Sequence, residues 1–190
     1  MNTLIIGAIL AAAVAALIVW SVKRKPRELQ IVPTGARLPE FNLQDDSGKP
    51  VGPADLAGQA AVLIFLRGSW CPFCNSQVKD LTAQYKAIGE AGARLIFITP
   101  KPLDTTRRVA ELFEVDLTFW VDENLAFADA LQLRAKNSVP TELRKRFGPD
   151  TVLPTSLVLD KDGVVRYSIS HCDVRSRPRP DHLLAELKKL

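Results

Sequence analysis

Cys71 and Cys74 stand two residues apart in "FLRGSWCPFCNSQVKDL", residues 65–81. Ahead of them "AAVLIFLR" (60–67) is a continuous apolar run with β-branched members, as expected of a strand buried on both faces. Behind them Val78, Leu81, Tyr85 and Ile88 recur at helical spacing until Gly89 and Gly92. Cys71 is thereby expected at a helix N-terminus. There, unpaired N–H groups and the positive dipole end stabilise a thiolate, the nucleophilic form of cysteine. The two-residue spacer lets the second thiol attack a bond formed by the first. Pro72 at the first helical position fixes the turn without removing a needed donor. The spacing therefore predicts Cys71 as the attacking thiol, the more exposed and more acidic of the two. Cys74 is the resolving thiol, about a turn inside. Trp70 and Phe73 flank the pair as an apolar rim for a substrate.

Two other readings of the same cysteines exist. They could be quiet core residues, or half of a structural zinc site made by Cys71, Cys74, His171 and Cys172. The strand-to-helix context favours redox chemistry over the first. Against the second, His171 and Cys172 are adjacent at the end of an edge strand. Three cysteines in 190 residues do not make a disulfide framework, and an odd count leaves one thiol over. Cys172, the candidate third thiol, is expected as a spare buried cysteine rather than a redox partner.

The elements that must position the pair follow along the chain. "ARLIFITP" (93–100) and "LTFWVD" (117–122) are further strands; helices are expected in "TTRRVAELFEV" (105–115) and "ENLAFADALQL" (123–133). Residues 134–150 are basic, carry Pro140 and Pro149, and are expected as an insertion with one helical turn. "PTSLVLD" and "VVRYSISH", joined by "KDG", predict a hairpin. "RPDHLLAELKKL" predicts a closing helix. Strands joined through helices imply a parallel group with right-handed crossovers, and the hairpin adds an antiparallel edge: an α/β fold, a central mixed sheet flanked by helices.

The first 22 residues differ. "LIIGAILAAAVAALIVW" (4–20) carries no charge and nears the length a helix needs to cross a bilayer, and "KRKPR" follows it. A transmembrane anchor is expected over 1–22, touching the lipid bilayer through residues 2–22. A linker follows over 23–37, and one domain over 38–190. Lys23, Arg24 and Lys25 place that domain on the cytoplasmic side by the positive-inside rule, a periplasmic or other extracytoplasmic side being the alternative. The net charge of +4 comes from short clusters without interleaved aromatics, which gives nucleic-acid binding no support.

Three segments together resemble the thioredoxin superfamily, in its peroxiredoxin-like alkyl hydroperoxide reductase/thiol-specific antioxidant branch: "FLRGSWCPFCNSQ", "LPTSLVLDKDGVVRYSI" and "DVRSRPRPDHLLAEL". The resemblance implies a thioredoxin-like fold, no organic cofactor or metal, and electrons from a protein thiol/disulfide partner or a thiol reductant. It matches Pro154 to the superfamily's cis-proline, which shapes the site and docks an extended substrate chain. Peroxiredoxins proper carry Thr or Ser three residues before the peroxide-reactive cysteine and an Arg facing it. If Cys74 aligns with that cysteine, Cys71 takes the hydroxyl position and Pro154 falls near where the Arg would stand. The expectation is therefore a membrane-anchored thiol-disulfide oxidoreductase. A thiol-dependent peroxidase is the alternative, and a redox-inactive or zinc-holding scaffold the second.

Overall fold

A computed structural model describes residues 9, 12–16, 28–100 and 117–190. The helix expected over 105–115 and most of the anchor expected over 1–22 lie outside these residues. Among the described residues no helix is long and apolar enough to cross a membrane.

The apolar run of 60–67 supplies the central strand β4 (Ala60–Phe65), paired in parallel with β5 (Ala93–Thr99). β5 pairs in parallel with β6 (Thr118–Val121). The expected hairpin forms β9 (Thr155–Leu159) and β10 (Val165–His171), and β9 lies antiparallel against β4. Its turn is closed by the Asp160 carboxylate, which accepts the backbone N–H groups of Asp162 and Val164, each at 2.9 Å. Short strands complete the edges: β1 (Glu28–Leu29), β2 (Leu43–Asp45) and β3 (Pro50–Val51). The order across the sheet is β1-β10-β9-β4-β5-β6-β2-β3.

The linker expected over 23–37 is, from Glu28 onward, part of this unit. β1 pairs with β10, Arg37 bridges Val164, and Val32 is buried. Val32 and Ile31 join the core, so apolar side chains hidden among prolines tie the segment down.

Both faces of the sheet are covered, because alternate residues of the buried strands point opposite ways. Leu63, Phe65, Ile96, Ile98 and Trp120 pack on one face with Phe127 and Ala128 of helix α3 (Ala126–Ala130). Val62, Ile64, Leu95, Phe97 and Phe119 pack on the other. There they meet α1 (Pro72–Thr82), Ile88 of α2 (Tyr85–Glu90), and Leu183 and Leu187 of α5 (Pro180–Leu187).

The helix expected from Cys71 to Gly89 is thus two helices. Near the break the Thr82 hydroxyl donates to the Val78 carbonyl at 2.8 Å, a local bond that competes with the helical ladder. α3 is shorter than its apolar pattern suggests. Its start is set by Asp122, whose buried carboxylate accepts the N–H groups of Phe127 (3.3 Å) and Ala128 (2.8 Å). The 134–150 insertion is more regular than expected. β7 (Arg134–Ala135) pairs with β8 (Thr151–Val152), and between them lie a 3-10 turn at Thr141–Leu143 and helix α4 (Arg144–Phe147).

Candidate active site

The loop from β4 into α1 carries the chemistry. Gly68 turns the chain with φ +133°, a region L side chains avoid, and the Trp70 indole lies close against it. A Cβ at residue 68 would stand 2.7 Å from the Trp70 Nε1. The Arg67 guanidinium lies over the Trp70 ring at 4.9 Å and donates to the Ser138 carbonyl at 2.7 Å. The Thr151 hydroxyl donates to the Arg67 carbonyl at 2.6 Å. The insertion therefore buttresses the loop, and Phe147 of α4 meets Trp70 with ring centroids 6.4 Å apart.

Cys71 is the N-cap of α1, extended at φ −90° and ψ 112°, with Pro72 at the first helical position. Its carbonyl accepts the N–H groups of Cys74 (3.0 Å) and Asn75 (3.1 Å), which fixes Cys74 inside the first turn. The Asn75 amide donates to the Ser69 carbonyl at 3.1 Å and braces the turn from outside. Both cysteines are reduced thiols.

The two thiols are unlike in acidity. The Cys74 thiol donates a hydrogen bond to the Cys71 sulfur, and this is the largest influence on either group. It lowers Cys71 from 9.0 to about 6. Burial opposes that shift, while the Cys74 backbone N–H and the charges of Arg177 and Arg67 assist it. The same bond, burial and the Cys71 charge hold the Cys74 thiol far above its ordinary value. The pair therefore holds one proton, on Cys74, across the physiological range. Exposure does not separate them as expected, since Cys71 is 1% and Cys74 0% exposed. A pH titration of the reduced chain, followed by ultraviolet thiolate absorbance, should show one thiolate appearing with its midpoint near pH 6. Absorbance appearing only near pH 9 would contradict the shared-proton arrangement.

Two further donors face the dithiol. The Arg67 backbone N–H donates to Cys74 Sγ at 3.4 Å. An Arg177 Nη donates to the same sulfur at 3.4 Å, while the Nε of that guanidinium donates to Gln77 Oε1 at 2.8 Å. The other Nη holds the carbonyls of Val174 (3.0 Å) and Ser176 (2.6 Å). Arg177 comes from the segment between β10 and α5. Its role is not evident in the sequence, where "DVRSRPRP" offers three arginines at close spacing. Only the packing of that segment on α1 singles one out. Position 154 is a proline, and the guanidinium at the dithiol comes from residue 177.

The remaining expected residues divide. Phe73 is exposed and, with Gln77, Asp80, Arg175, Arg177 and Pro178, lines a cleft of about 180 Å³ beside α1. A larger cleft, about 620 Å³, lies between Arg37–Phe41 and Lys161–Gly163 and contains none of the thiol-site residues, so cavity size does not locate the chemistry. Pro154 is buried next to β9, but its peptide is trans, as are all peptides among the described residues. Its carbonyl accepts the His171 N–H at 2.9 Å. Cys172 is exposed, not buried. The zinc set is not assembled: among the described residues no three His, Cys, Asp or Glu side chains converge as a metal site.

Known proteins resemble this chain in sequence and in fold. The model of the AhpC/TSA family matches residues 34–168. Peroxiredoxin Q, chloroplastic, of Sedum lineare is 28% identical over 137 residues, covering 71% of this chain and 67% of its own length. Its counterpart in Triticum aestivum is 30% identical over 138 residues, 72% of this chain and 58% of its own. The chain thus spans about three fifths to two thirds of the length of these relatives. Among solved structures, peroxidoxin BcpB from Mycobacterium tuberculosis aligns with a TM-score of 0.68 at 22% identity, covering 83% of this chain and 97% of its own. Reduced Prx3 from Vibrio vulnificus, solved in complex with hydrogen peroxide, aligns with a TM-score of 0.71 at 17% identity, covering 82% and 99%. These structures share the mixed α/β thioredoxin-like fold. The expected single-pass membrane location is corrected here: the curated relatives are named as chloroplastic peroxiredoxins, and no described helix can span a bilayer. The residues on which that expectation and its bilayer contact rested showed only an apolar run, which fixes neither a helix nor its surroundings. The chain belongs to the AhpC/TSA family, the peroxiredoxin-like branch of the thioredoxin superfamily.

Proposed function

We propose that the chain is a thiol-dependent peroxidase whose Cys71–Cys74 dithiol is oxidised by a peroxide and re-reduced by an external thiol. The observation that carries this reading is the Arg177 guanidinium at Cys74 Sγ, beside a thiolate on Cys71. Disulfide exchange needs only a thiolate, a second thiol in reach and a groove. A fixed cation and an aimed N–H at the dithiol are what a peroxide requires, because charge develops on the departing oxygen. The names of the curated relatives point the same way.

The cycle follows from the two thiols. Cys71 thiolate attacks one peroxide oxygen, the O–O bond breaks, and the other oxygen leaves as hydroxide or alkoxide and takes a proton. Cys71 is then a sulfenic acid. Cys74 attacks the Cys71 sulfur, the S–S bond forms, the S–O bond breaks, and water leaves. One peroxide and two thiols give one disulfide, one alcohol or water, and one water. A protein dithiol or small thiol then reduces the disulfide by exchange. The Cys74 hydrogen bond, helped by the charges of Arg177 and Arg67, keeps Cys71 ionised, and the Arg177 guanidinium on the neighbouring Cys74 Sγ is the donor for the peroxide oxygens. The reading is tested by the rate at which peroxide oxidises the reduced chain, set against the rate with a protein disulfide. Rapid oxidation by peroxide supports it, and rapid exchange with negligible peroxide reaction would return the site to an exchange enzyme.

A further inference from the structure

One buried base at the dithiol end of the sheet is not used by this cycle. His171 closes β10, is 2% exposed, and neither ring nitrogen has a hydrogen-bond partner. Buried polar atoms are nearly always paired, so two orphans on one ring need a reason.

The topology places His171 at the end of the sheet that carries the thiols. Side chains alternate along β10, so His171 shares a face with Ile169 and Tyr167. Tyr167 stands opposite Val158, which packs in the same cluster as Cys71 and Cys74. The His171 N–H binds the Pro154 carbonyl, and the next residue, Thr155, pairs with Phe65 at the end of β4. His171, Pro154 and the β4–α1 loop thus sit at one end of three adjacent strands. Arg177 connects them, since it donates to Cys74 Sγ and its charge acts on the imidazole.

The cycle has a matching need. Cys74 must lose its thiol proton as it attacks Cys71. Among the described residues, the largest influences on Cys74 besides burial and Cys71 are the Arg177 charge and the Arg67 backbone N–H, neither of which can accept a proton. Among the described residues, no carboxylate is one of the largest influences on either thiol.

We propose that His171 carries the proton of the resolving step: its imidazole takes the Cys74 thiol proton as Cys74 Sγ attacks the Cys71 sulfenic sulfur, then gives it to the departing hydroxide. The S–S bond forms, the S–O bond breaks, hydroxide leaves as water with that proton, and the ring ends neutral as it began. No further co-reactant is needed. The groups around the ring favour a neutral starting state. Burial and then Arg177 push its pKa down, against Glu28 on the paired strand β1 and Asp173 on the following loop. This step deepens the peroxidase reading and rests on it.

The test uses His171→Asn and His171→Gln in the full chain. Each reduced protein is mixed with one equivalent of hydrogen peroxide. Peroxide loss reports attack, and mass analysis after dimedone quenching separates sulfenic acid from disulfide. In both variants the disulfide should form about 100-fold more slowly near neutral pH than in the unmodified chain, the order expected for loss of a positioned proton carrier. Sulfenic acid should accumulate on Cys71, and the slowed step should speed up with pH as hydroxide takes over. Reading resolution against attack in one sample prevents partial unfolding from imitating the effect. Disulfide formation as fast as in the unmodified chain, in either variant, overturns the proposal. If the unmodified chain itself consumes no peroxide, the peroxidase reading falls, and this inference with it.

Discussion

Replacing Cys71 with serine should abolish oxidation of the chain by peroxide, whereas replacing Cys74 should leave the first step running and trap its product. The two outcomes differ because the pair shares one proton. Cys71 is the acidic partner, lowered to about 6, and it is the N-cap of α1. A serine hydroxyl there is not ionised at neutral pH and cannot attack the O–O bond. In Cys74→Ser the hydroxyl still donates to the Cys71 sulfur, so the thiolate survives. The resolving thiol is absent, so sulfenic acid should persist on Cys71 and react with dimedone, or form a mixed disulfide with an added thiol. Dimedone labelling of both variants, located by peptide mass, decides the matter. A label on Cys74 in the Cys71→Ser chain would reverse the roles and make the two donors on Cys74 Sγ the direct activators of the nucleophile.

Arg177→Met should lower the rate of peroxide reaction by about 10²–10³-fold at neutral pH, the range for removing one preorganised donor at a developing oxyanion. Two effects act together. The guanidinium bond to Cys74 Sγ is lost, and with it the donor for the departing oxygen. The charge that helps depress Cys71 is also lost, so the thiolate titration should move upward. Arg177→Lys should recover only part of the activity. One ammonium cannot reproduce a planar fork that holds Gln77, Cys74 and two carbonyls at once. Thiolate absorbance and stopped-flow rates on the same variants separate the contributions. Unchanged rates in Arg177→Met would remove the observation on which the peroxidase reading stands.

How much of this was legible in the chain itself depends on distance along it. The strand-to-helix turn, the N-cap position of Cys71 and the proline behind it are local, and "FLRGSWCPFCNSQVKDL" carries them within one stretch. The β9–β10 hairpin was equally readable, because alternation and "KDG" act over a few residues. The arginine was not. Arg177 lies 103 residues from Cys74, and the position that the family pattern points to, 154, is a proline. Only the chain's path after β10 brings that guanidinium onto α1. Tertiary effects also explain Glu28–Arg37: the prolines in and around it read as a spacer, yet a strand pair and the burial of Val32 bind the segment to the sheet. The order of thiol acidity follows from helix-end electrostatics, but its size comes from the hydrogen bond between the two sulfurs, a contact that no spacing displays. Equal burial of the two cysteines is likewise a result of packing across the chain, since both join the core cluster under α1.

The most direct measurement is a rapid-mixing experiment on the reduced full chain, with Trp70 fluorescence reporting oxidation beside the thiols. Hydrogen peroxide and a protein disulfide are presented separately at equal concentration, and the products are identified by mass. With Arg177 and the Arg67 N–H in place, peroxide should oxidise the chain about 10²-fold or more faster than it oxidises a free thiolate, given the effect of such donors. The product should be the Cys71–Cys74 disulfide. Oxidation by peroxide no faster than that of a free thiolate, together with rapid exchange with the protein disulfide, would contradict the account.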